Sequence, residues 1–124
     1  MDLLEKVKAA RAEGSFEKTM AILNEEVAKN PENSVVHLQV AWTHDALGKE
    51  HDAIPAYEKA ISMGLQGQDL SDAYLGLGST YRTIGEYTKS KDVFDKAATT
   101  SDTSIKDYNG ALLFYSDKLD QKFN

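Results

Sequence analysis

The stretch Tyr74-Leu75-Gly76-Leu77-Gly78-Ser79-Thr80-Tyr81 constrains this chain most strongly, because its spacing recurs. It reads Tyr74-x2-Leu77-Gly78-x2-Tyr81 and runs on through Gly85, Tyr87, Ser90 and Phe94 to Ala97. Set back by 37 residues, the same template meets His37, Val40, Ala41 and His44, then Gly48, Ala53, Tyr57 and Ala60. Gly14, 34 residues before Gly48, carries it into a first unit with Phe16, Leu23 and Pro31. A last unit restarts at Tyr108-x2-Ala111-Leu112-x2-Tyr115. One such unit buries too little apolar surface alone, so a chain of this kind must stack its units.

The spacing within each unit is helical. Leu3, Leu4, Val7 and Ala10 predict a helix over 2–12, ended at Glu13-Gly14-Ser15, where Ser15 can cap the next. Phe16, Met20, Leu23 and Val27 form the stripe of a second helix over 16–29, closed by Asn30-Pro31 because the residue before proline leaves the α region. Ser34 is the expected cap of a third helix reaching Leu47, with Gly48 as its left-handed end. A fourth spans about 51–63, and Pro55 inside it predicts a late start or a slight bend. Residues 63–69 read as a turn that absorbs the three extra residues of the longer period. Helices over 70–83, 87–99 and 104–121 complete the pattern. No stretch alternates apolar and polar residues over strand length.

A period near 34 residues with this motif resembles the tetratricopeptide repeat. The resemblance implies an all-α, right-handed α-solenoid of about three and a half repeats and seven helices. It makes the chain one domain, with repeats at about 2–33, 34–68 and 70–101 and a terminal half-repeat helix at 104–121. The first repeat departs most from the motif, with Lys6 where leucine is expected and Thr19 where alanine is expected. Small residues at Ala41 and Gly78 mark close backbone approach, Ala53 and Ser90 face them, and Tyr57 and Phe94 are expected to fill space between repeats.

In this family the first helices of successive repeats line a concave groove that holds a peptide or helix of another protein. Rotation by about 130° from the packing stripe selects Leu4, Lys8 and Arg11 on the first helix, and Val35, Leu38, Trp42 and Asp45 on the third. It selects Asp72, Leu75, Ser79 and Arg82 on the fifth, and Lys106, Asn109, Leu113 and Ser116 on the last. The family's clamp for a partner's C-terminal carboxylate is not met, since Leu4, Gln39, Asp72 and Gly76 stand at its positions. Trp42 has two readings, an anchor for the partner or a ring in the core between repeats.

Other chemistries find little support. The three histidines, His37, His44 and His51, recur every seven residues and invite a metal or pH-switch reading. The first two stand at packing positions, Gly48 reverses the chain before the third, and no cysteine or suitable acidic cluster completes a ligand set. No metal or other cofactor is expected. Ser79 and His44 do not assemble a nucleophile with its base, so the chain reads as no enzyme. A net charge of −6 argues against nucleic acid. The absence of an 18-residue apolar run argues against a membrane span, and charges among the first six residues against a signal peptide, so the expected location is the cytoplasm. On the last helix, Leu113 and Phe114 lie off the stripe made by Ile105, Tyr108, Leu112, Tyr115 and Leu119, which suggests self-association through Phe114 into a homodimer. A self-associating adaptor and a fragment of a longer regulatory protein are the alternative functions.

Overall fold

Hydrogen bonds at the ends of each apolar run decide where the helices begin. In the computed structural model, which describes residues 2–100, six helices follow one another: α1 (Leu3–Ala12), α2 (Phe16–Lys29), α3 (Ser34–Ala46), α4 (Glu50–Ser62), α5 (Gly67–Thr83) and α6 (Tyr87–Thr100). The seventh helix expected over 104–121, with Lys106, Asn109, Leu113, Phe114 and Ser116, lies outside the described residues. Asp2 caps α1 by accepting from Glu5 N at 2.8 Å, and Ser15 caps α2 by accepting from Lys18 N at 3.3 Å.

Three boundaries differ from the expectation. Asn33, not Ser34, caps α3, its Oδ1 accepting from Val35 N at 3.1 Å and Val36 N at 3.4 Å. An asparagine placed in extended backbone just after Pro31-Glu32 reaches the orphan donors, and Ser34 becomes the first helical residue. Helix α4 starts at Glu50 with no side-chain cap, so Pro55 lies in its second turn rather than near its start. The missing N–H leaves the carbonyl of His51 without its helical donor, and His51 is exposed, where solvent can serve it. Helix α5 begins at Gly67, so part of the extra length of this period is an additional helical turn and not loop. Gly67 enters it at φ 58°, a left-handed conformation that glycine adopts without strain. Leu65 pins the linker before it by burial in the core.

Helices pack on their neighbours in sequence, and beyond that only α3 touches α5 among the described elements. First helices of adjacent repeats therefore approach each other while the second helices α2, α4 and α6 do not, so the array bends toward its first helices. The core runs along the stack instead of gathering at a centre: one cluster holds Leu38, Ala41, Ala53, Tyr57, Ala60, Leu65, Ala73, Leu77 and Val93, and a smaller one Val7, Leu23 and Val36.

Close approach depends on the glycines of α5. A methyl group on Gly78 would stand 2.8 Å from Cε1 of Phe94, and one on Gly76 would stand 2.6 Å from the hydroxyl of Tyr57. Tyr57 thus fills the space between the second and third repeats, whereas the Phe94 ring lies against its own hairpin. Ser90 faces Gly78 and donates to its carbonyl at 2.7 Å.

The candidate interaction face

The inner side of the bend is formed by α1, α3 and α5. Lys8, Trp42 and Ser79 occupy the same position in three successive repeats, 34 and 37 residues apart. Lys8 is exposed, while Trp42 and Ser79 are half-buried. Trp42 packs on the larger core cluster together with Val35, Tyr74 and Tyr81 and keeps part of its surface at the inner face, so both readings of this residue hold part of the truth. Leu4 is 44% exposed, an uncommon state for a leucine on a helix otherwise packed through Val7 and Ala10.

Two residues expected to line the groove do not. Leu38 and Leu75 are 1% and 4% exposed, and Leu38 belongs to the core cluster. The cause is the number of neighbours: α3 packs on α2, α4 and α5 at once, so a single stripe cannot satisfy it and burial spreads around the helix. The same widening buries Ser71, Ala73, Leu75, Gly76, Leu77, Gly78 and Thr80 on α5.

Two more are engaged within the chain. Arg11 is half-buried, and its Nη2 donates to the carbonyl of Gln39 at 3.2 Å and to Thr43 Oγ1 at 3.1 Å. Burial lowers its guanidinium pKa, although arginine keeps its charge throughout the working range. Asp45 Oδ2 accepts from the Tyr57 hydroxyl at 2.9 Å and from Thr80 Oγ1 at 3.2 Å. Helical spacing alone could not reveal these bonds, because each crosses to another helix.

Asp72 and Arg82 are both half-buried. Burial pushes the Asp72 carboxyl above the ordinary aspartate value. Gln68, whose Nε2 donates to Oδ1 at 2.8 Å, opposes the rise, and the charge of Asp69 adds to it. A carboxylate in that condition gains from a cation brought beside it.

The histidines serve separate ends. His37 is buried and its Nε2–H donates to the carbonyl of Pro31 at 2.7 Å, tying the loop before α3 to the helix. His44 Nδ1 is buried without a hydrogen-bond partner, and His51 is exposed. Among the described residues no three His, Cys, Asp or Glu side chains are grouped so as to hold a metal ion. No helix among them is long and apolar enough to cross a membrane.

Similarity to known proteins agrees with this architecture. The crystal structure of MamA superposes with a TM-score of 0.74 at 23% identity, covering 96% of this chain and 66% of that one. The crystal structure of TTC0263, a thermophilic TPR protein of Thermus thermophilus, gives 0.66 at 22% identity, covering 83% of this chain and 53% of its own. This chain therefore spans about two thirds of the one and about half of the other. No curated protein matches it. The family model for the tetratrico peptide repeat matches residues 34–117, most of the chain and the units in which the motif is clearest. Helical hairpins of this spacing, stacked in this order and matched by that model, show that the chain belongs to the tetratricopeptide repeat family.

Proposed function

We propose that this protein is a non-catalytic interaction module of the cytoplasm that seats a peptide segment or helix of a partner protein along its inner face. Repeats of this family serve generally as protein-binding scaffolds, and the acidic, cysteine-free composition suits contact with another protein better than with nucleic acid. The observation that carries the reading is Trp42, half-buried at the middle of the inner face in line with Lys8 and Ser79. A tryptophan whose base rests on the core and whose edge stays accessible has the properties of an interface anchor, since its large ring is already ordered before a partner arrives. Lys8, Asp72, Ser79 and Arg82 supply polar groups around it, whereas Leu38 and Leu75 support the face from beneath.

Trp42→Ala is expected to abolish capture of the partner while leaving helical circular dichroism and cooperative unfolding nearly intact. Lys8→Glu is expected to weaken capture without touching stability. Destabilisation of Trp42→Ala by about 3–5 kcal/mol, the cost of truncating a fully buried large side chain, would show that the ring serves the core and not a partner.

A further inference from the structure

The bonds that cross between repeats fall on one line of the solenoid. Arg11 and Asp45 stand at the same repeat position, 34 residues apart, and so do Thr43 and Thr80, 37 residues apart. At each boundary the charged residue of one first helix meets the threonine of the next: Arg11 with Thr43 at 3.1 Å, Asp45 with Thr80 at 3.2 Å. Both threonine hydroxyls also reach the carbonyl four residues back, Gln39 and Gly76, each at 2.8 Å. Thr43 can therefore direct its proton to its own helix and accept from Arg11, while Thr80 shares one proton between the Gly76 carbonyl and the Asp45 carboxylate.

The two charged residues differ in length, and so do the gaps they span. No Cα atoms of α1 and α3 approach within 8 Å, whereas those of α3 and α5 do. The residue that sets the gap is again at one repeat position, Gln39 in α3 and Gly76 in α5. Without a side chain at Gly76, the Tyr57 ring settles against α5 and its hydroxyl meets Asp45 at 2.9 Å. At the wider boundary a carboxylate would fall short, and the long guanidinium reaches across.

We propose that Arg11 and Asp45 are latches between repeats, each matched to the width of its own boundary, and that each sets the coupling of one end unit to the middle repeat. The inner-face position they occupy is thereby assigned to cohesion within the chain, a role that does not depend on what partner the face binds.

Site-resolved native-state hydrogen exchange on the full chain tests this. Thr43→Val is expected to speed exchange about tenfold, the scale of a hydrogen bond to a charged group, in α1 and α2 alone. Thr80→Val is expected to do the same in α5 and α6 alone, and Thr80→Ser to restore the slow rates. Arg11→Met, which leaves the buried threonine in place, must reproduce the pattern of Thr43→Val even if that variant folds poorly. In an Asp45→Asn background the added effect of Thr80→Val should shrink to less than twofold. Uniform acceleration across all six helices, no acceleration, or full additivity of Asp45→Asn and Thr80→Val would each overturn the proposal.

Discussion

Tyr81 shows how a single side chain on the outer surface acquires an unusual titration. Its phenol is pushed up to about 12, by burial first, then by its hydrogen bond to Glu58 at 2.9 Å, and then by the charges of Glu58 and Glu86. Lys89, 5.7 Å from the ring centroid, favours the phenolate but does not outweigh them. Because the folded value lies above the unfolded one, the stability held by the neutral phenol is complete below about pH 10. It is lost as pH rises toward 12. Tyr81→Phe should flatten that part of a stability-against-pH curve measured by chemical denaturation. Gly76 is the other residue whose environment dictates a clear outcome. Tyr57 is fully buried, so the methyl of Gly76→Ala cannot be accommodated by swinging the ring into solvent. A loss of about 1–3 kcal/mol is expected in urea denaturation, with Gly78→Leu at least as costly because Phe94 faces it.

At the scale of elements, the helices owe their limits to side chains just outside them. Asn33→Ala removes the acceptor for two backbone donors of α3 and should cost about 1 kcal/mol in the same assay. Pro55→Ala should act in the opposite sense. It restores a donor for the His51 carbonyl, and the gain, about 1–2 kcal/mol, is what remains after the added freedom of the unfolded chain is subtracted. Apolar periodicity located all six described helices in the sequence, because burial of one stripe at a spacing of three and four is a local property. Their starts were less legible. Asn33 and Ser34 are adjacent and both good caps, and the choice rests on which one the preceding proline turn leaves in extended backbone. The extra turn of α5 was hidden because Gly64, Gly67 and Gln66 read as loop, while Leu65, which anchors that linker, is buried by contacts distant in sequence.

For the molecule as a whole, the repeat spacing fixed the order of stacking but not the depth of each face. Leu38 and Leu75 looked accessible because a helical wheel knows one partner, and α3 and α5 have several. Arg11 and Asp45 looked like partner contacts for a related reason: a charge on an inner face has no sequence mark showing that a hydroxyl from the next repeat waits for it. What the wheel did capture is the line through Lys8, Trp42 and Ser79, which the fold keeps together on the inner side of the bend. The unequal spacing of the first helices, wide between α1 and α3 and narrow between α3 and α5, gives that surface a taper. A tapered channel has a sense of direction. A segment lying in it meets room for a bulky group beside α1 and only for a slim one beside α5, so the same residues presented in reverse order would collide at one end and leave a void at the other.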